Sequence, residues 1–138
     1  MSSGVAVNDA CLSSYQDLKM NKKFKYVLYK LNDELTEVVV DKASNGSYEE
    51  FLAALPKKGC RYAVFDLEFD FGEGPRSKII FFTWSPDESK IKEKMIYAAT
   101  KDGIRKKLVG VQTEIQATDF SEIAKDVVLD KVSRQTTA

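Results

Sequence analysis

The chain contains no histidine, and this limits the chemistry it can perform. A serine or cysteine nucleophile activated by imidazole is excluded, and so is any metal site built on histidine. Carboxylate and lysine chemistry remain, but no pair of acidic residues stands in a pattern that marks an acid–base couple. The 2 cysteines, Cys11 and Cys60, fall in no CxxC or other metal-ligand spacing. Cys11 stands at helical spacing from Leu12 and Tyr15, so both thiols are expected to be reduced and packed. The run Gly72-Glu73-Gly74-Pro75 matches no phosphate-binding fingerprint and reads as a turn. The pattern favours a binding module over an enzyme, with no metal and no cofactor.

The residues suited to recognition lie in the stretch 91–108. At about 100° per residue, Ile96, Tyr97, Thr100, Ile104 and Leu108 fall on one side of a helix and face a core. The opposite side carries Ile91, Lys94, Met95, Ala98, Lys101, Asp102 and Arg105. A flexible apolar residue ringed by cations suits protein recognition. A solvated helix face with one stray methionine fits the spacing as well, because single exposed apolar residues are common. Gly103 costs about 1 kcal/mol of helix stability relative to alanine and marks a candidate bend.

Composition sets the frame for that helix. At 138 residues, with 43% hydrophobic and 30% charged, the chain fits one domain with a proper core. Lys+Arg and Asp+Glu both number 21, which argues against bulk nucleic acid as a partner. No apolar run approaches the ~18–20 residues of a membrane span. The first residues lack the layout of a signal peptide. A cytoplasmic monomer with passive access to the nucleus is expected.

Periodicity and capping signals place the other elements. A helix is predicted over Asp9–Lys19, capped by Asn8, with Cys11, Leu12, Tyr15 and Leu18 on its apolar face. Strands over 24–31 and 36–40 form a hairpin about Asn32-Asp33-Glu34. A short helix over 47–55 opens on a Ser47/Glu50 capping box and stops at Pro56. The stretch 62–71 alternates, with Phe65, Leu67, Phe69 and Phe71 opposite Asp66, Glu68 and Asp70. A continuously apolar strand over 78–84 is expected inside the sheet. A strand over Thr113–Ala117 and a helix over 119–132 complete the chain, with Phe120 on the apolar side of that helix. This order predicts an α/β (α+β) domain over 7–133, a mixed sheet with helices on both faces. Residues 1–6 read as a flexible arm and 134–138 as a polar tail.

Four stretches together resemble the actin-depolymerising factor/cofilin family. They are Cys60-Arg61-Tyr62-Ala63-Val64-Phe65-Asp66, the run from Arg76 through Trp84-Ser85-Pro86-Asp87, Lys94-Met95-Ile96-Tyr97 through Lys101-Asp102, and Gln116 through Glu122. Ser3-Gly4-Val5 and Leu55-Pro56 also match, so the likeness spans nearly the whole chain. It looks most like fungal and protist members, without the basic insert between the first strands. The resemblance implies the actin-depolymerising-factor homology fold and a protein that binds actin monomers and filament sides, severs filaments and drives depolymerisation. A glia-maturation-factor-like debranching protein of the same fold and a phosphoinositide-binding peripheral module are the alternatives.

The resemblance also assigns residues. A surface for monomer and filament is implied at Ser3, Gly4, Val5, Lys92, Lys94, Met95, Lys101, Asp102 and Arg105. A filament-specific surface is implied at Arg76, Lys78, Asp130, Lys131 and Arg134. Ser3 corresponds to the inhibitory phosphoserine of the family, and a phosphate there would set negative charge beside a cationic face. Phosphoinositide headgroups are implied partners of Lys101, Arg105, Lys106 and Lys107. Actin-interacting and cyclase-associated proteins are further implied partners. Two positions depart from the pattern: Glu93 stands where many members have serine, and Pro75 where a basic residue often precedes Arg76.

Overall fold

The computed structural model describes residues 4–70, 72 and 74–137. The elements run β1 (Ala6–Val7), α1 (Asp9–Lys19), β2 (Tyr26–Leu31), β3 (Glu37–Ser44), α2 (Tyr48–Ala54), β4 (Arg61–Phe69), β5 (Arg76–Trp84), α3 (Ile91–Lys107) and β6 (Thr113–Ala117). A 3₁₀ turn (Phe120–Ile123) and α4 (Lys125–Thr137) follow. The strands form one sheet in the order β1-β3-β2-β4-β5-β6. The outer pairs, β1–β3 and β5–β6, are parallel, and the pairs between them are antiparallel. This is the mixed sheet that the order of elements predicts.

Each face of the sheet carries its own core. Val27, Tyr29, Tyr62, Val64 and Phe81 pack against Cys11, Tyr15 and Leu18 of α1 and Tyr97 and Ile104 of α3. Tyr26, Leu28, Phe65, Phe82 and Trp84 pack against Tyr48 and Phe51 of α2 and Val128 and Val132 of α4. Successive strand residues therefore serve opposite cores, as the two-residue repeat of a strand requires.

Several boundaries differ from the sequence reading. Ala6 pairs with Glu37, so the sheet begins inside the stretch read as an arm. β3 runs on to Ser44, where it pairs with Tyr26. In β4 the alternation misleads. The strand is covered on both faces, and Asp66 is buried at 1% exposure, its charge met by Lys22 at 2.8 Å. Phe71, expected on the apolar face of this strand, lies outside the described residues. α3 is continuous through Gly103, where a candidate bend was expected. α4 extends through the stretch 134–137 that read as a tail.

Capping explains the helix starts. The Asn8 side chain accepts from the Ala10 N–H at 2.8 Å. Ser47 accepts from the Glu50 N–H at 3.1 Å, but the Glu50 carboxylate turns to Tyr26 and Ser44 instead of completing the capping box. The Asp119/Glu122 box is complete. It closes a 3₁₀ turn, and the α-helical repeat restarts only at Lys125. Phe120 is thereby turned to the surface at 37% exposure instead of joining the core.

Candidate functional site

α3 positions the cationic face. Its inner side buries Tyr97, Thr100 and Ile104, with Leu108 closing the end. On its outer side Ile91 is 76% and Met95 67% exposed. Ala98 and Asp102 are also exposed, and Lys94, Lys101 and Arg105 stand half-buried around them. The outer face has no core to fill, and it keeps two large apolar side chains in water.

Tyr97 fixes the helix to the sheet. Its hydroxyl accepts from the Leu31 N–H at 2.9 Å, and its backbone carbonyl accepts from the Tyr62 hydroxyl. At the carbonyl end of the helix, Tyr15 and Lys19 both donate to Val109 O, at 2.7 and 2.9 Å. Gly110 follows at φ +100, where an added Cβ would meet the Lys19 side chain at 2.6 Å. Arg105, Lys106 and Lys107 occupy the last turn, where cations favour the helix dipole.

The cations differ in their freedom. Lys94 donates to Asp87 O at 2.9 Å and holds the loop ahead of the helix. Arg105 is ion-paired with Glu114 on β6 at 2.9 Å. Lys101, Lys92, Lys106 and Lys107 have no ion-pair partner among the described residues. Glu93 is half-buried beside them. Ser3 lies outside the described residues. Gly4 sits at φ +82, and Val5 packs on the α1/α3 core, so the chain leading into β1 runs beside α3.

The second set of predicted residues lies on the other face of the sheet. Side chains at 76, 78, 80, 82 and 84 of β5 alternate together, and Ile80, Phe82 and Trp84 belong to the α2/α4 core. Arg76 and Lys78 therefore share a face with α4, which carries Asp130, Lys131 and Arg134. Asp130 and Arg134 are exposed and paired at 3.0 Å. Arg76 stands beside Pro75, Ser77, Lys22, Lys25 and Glu68 around a shallow pocket of about 390 Å³.

One feature escaped the sequence reading. Phe120 packs on Trp84 with ring centroids 4.7 Å apart and the ring planes tilted by 46°. With Lys57, Pro86, Asp87 and Glu88 these rings line a pocket of about 310 Å³ at the entry to α3. The Asp119/Glu122 box that exposes Phe120 was visible as a motif, but its consequence for the helical repeat was not. Hydrogen bonds from Ser121 to Asp119 and from Thr118 to Glu122 hold both carboxyl groups below their usual range.

Both cysteines are buried and unpaired. Burial pushes the Cys11 thiol up to about 12, and it raises Cys60 as well. Among the described residues no group of three or more His, Cys, Asp or Glu could hold a metal ion. No helix among them is long and apolar enough to cross a membrane.

The family model for cofilin/tropomyosin-type actin-binding proteins matches residues 4–133. The chain belongs to this family. A cofilin of Mycosarcoma maydis is 57% identical over 99% of both chains. The crystal structure of a Streptomyces griseoflavus cofilin superposes with a TM-score of 0.91 at 52% identity, covering 95% of this chain and 98% of that one. A Plasmodium berghei actin depolymerization factor 2 follows at a TM-score of 0.84 and 32% identity, over 94% and 96% of the two chains.

The sheet with two helices on each face is thus the cofilin fold. The protein is an actin-binding, actin-depolymerising protein of the cofilin type, associated with the actin cytoskeleton. The debranching and peripheral-membrane alternatives are not favoured.

Proposed function

We propose that the outer face of α3, with the chain segment entering β1, is the surface that binds both actin monomers and filaments. Ser3, Gly4, Val5, Lys92, Lys94, Met95, Lys101, Asp102 and Arg105 form it. The observation that carries this reading is Met95, 67% exposed on a helix whose opposite side buries Tyr97, Thr100 and Ile104 and leaves Ile96 half-buried. A flexible thioether surrounded by cations offers an apolar anchor with a charged rim. Arg105 is already paired with Glu114, so it contributes only if that pair rearranges, whereas Lys101 is available. Bond chemistry has no place in this function, which is strain imposed on a filament by binding.

Filament binding adds the second surface, Arg76, Lys78, Asp130, Lys131 and Arg134. Its sharing of one sheet face with α4 supports treating these residues as a unit. Charge pairing at such a rim favours fast, salt-sensitive association. Severing follows from engaging both surfaces at once. The deciding experiment is co-sedimentation with filaments together with a single-filament severing assay. Failure to sediment with filaments at low salt would overturn the reading.

Regulation belongs to the same proposal. Phosphorylation of Ser3 would add negative charge to the segment that precedes Gly4 and oppose binding by the cationic face. Lys101, Lys106 and Lys107, with Arg105, would attract phosphoinositide headgroups and compete with actin. Actin-interacting and cyclase-associated proteins are the proposed protein partners beyond actin, and the nucleus is a proposed second location.

A further inference from the structure

The β2–β3 loop carries a residue in an unfavourable backbone state. Leu35 adopts φ 59, in the left-handed region where glycine or asparagine is the ordinary choice. The loop is held rigidly around it. Leu35 N–H donates to Asn32 O at 3.0 Å, and Asn32 Oδ1 accepts from the Thr36 and Glu37 N–H groups at 2.8 and 3.1 Å. The side chain so held is apolar and 45% exposed. Such outliers are held by the structure around them and cluster at binding sites; Lys22, at φ 55, is the other non-glycine case among the described residues.

Leu35 lines a pocket of about 470 Å³ together with Lys58, Lys90, Lys92, Glu93 and Ile96. Lys58, Lys90 and Lys92 are exposed, and none has an ion-pair partner among the described residues. Lys90 caps α3 without a side-chain hydrogen bond, so the positive end of the helix dipole also faces this region. Asp33 and Glu34 precede Leu35 on the loop but do not line the pocket. Three lysines against one glutamate thus surround two aliphatic side chains.

We propose that this pocket docks an acidic peptide segment of a partner protein, with one aliphatic or aromatic residue seated between Leu35 and Ile96. The lysines supply the charge complement, and the two aliphatic side chains supply a place for an anchor. A lipid headgroup or free phosphate would use the lysines but would leave Leu35 without a role. Lys92 belongs both to this pocket and to the proposed actin face. A segment bound here therefore reaches the edge of the actin contact without covering Met95 or Lys101.

The test is an NMR titration of the full chain with an acetylated Glu-Asp-Leu-Asp-Glu peptide. The same peptide with serine at its centre and inositol hexakisphosphate are run alongside. Saturable shifts are expected at Leu35, Lys58 and Ile96, and the serine peptide should bind about tenfold more weakly. Leu35→Asn should raise the melting temperature yet weaken the leucine peptide. Lys58→Glu with Lys90→Glu should abolish binding while leaving filament co-sedimentation unchanged. Equal affinity for the two peptides would overturn the proposal. So would inositol hexakisphosphate producing the same shifts, self-association of the chain through this face, or a Leu35→Asn protein that binds as before. None of these outcomes bears on the actin-binding reading, which the co-sedimentation arm tests separately.

Discussion

The Tyr97 hydroxyl accepts the Leu31 backbone N–H at 2.9 Å, beyond the last β2–β4 ladder pair at Tyr29 and Tyr62. A side chain of α3 thus takes over where the sheet stops offering partners. It also sets the rotation of the helix, and so which residues face outward. Tyr97→Phe leaves that buried N–H without an acceptor and should cost about 1–3 kcal/mol. Chemical denaturation measures this. An unchanged midpoint would show that water replaces the hydroxyl.

Lys94 and Lys101 share the outer face of α3 with Met95. Lys94→Ala with Lys101→Ala should abolish actin binding. Within the fold, the double variant removes the surface hydrogen bond from Lys94 to Asp87 O. Stability should therefore stay within about 0.5 kcal/mol of the parent. Co-sedimentation and thermal melting read the two effects separately, and retained sedimentation would refute the role.

Arg76 and Lys78 alternate along β5 with Ile80, Phe82 and Trp84, which belong to the α2/α4 core. Arg76→Ala with Lys78→Ala should spare monomer binding and impair filament binding. Native gels with monomer and pelleting with filament distinguish the two. Equal loss in both would mean that the surfaces are not separable.

Cys11 and Cys60 should be silent to thiol reagents in the folded protein at pH 8. Cys11 is fully buried and its thiol lies at about 12, far above that pH. Both should react once the chain is unfolded in denaturant. Rapid labelling of the native protein would mean that the α1 face opens readily.

Acid should weaken the fold through carboxylates held below their usual range. Ser44 and Tyr26 hydrogen bonds lower Glu50, and the capping contacts lower Asp119 and Glu122. A depressed folded-state pKa gives stability that is present above the ordinary value and lost as pH falls through the lowered one. The melting temperature should be level near neutrality and decline below about pH 4.5, the ordinary value for Glu50. Glu50→Gln should flatten part of that decline. An unaltered profile would assign the acid sensitivity elsewhere.

The sequence determined the fold class, the helix starts at Asn8 and Ser47, and the inner and outer sides of α3. All of these follow from local repeat and capping, which neighbouring residues along the chain decide. The linked motifs also determined the family. Other features depend on residues distant in the chain. Ala6 enters the sheet only because β3 is there to pair with it. Asp66 is buried because β4 lies between two layers and Lys22 supplies the opposite charge. Phe120 is exposed because a closed capping box breaks the helical repeat. The pairing of Arg105 with Glu114 and the meeting of Leu35 with Lys58 and Lys90 were likewise invisible in sequence. They join loops and helices whose nearness is set by strand order, and strand order is decided by burial across the whole sheet.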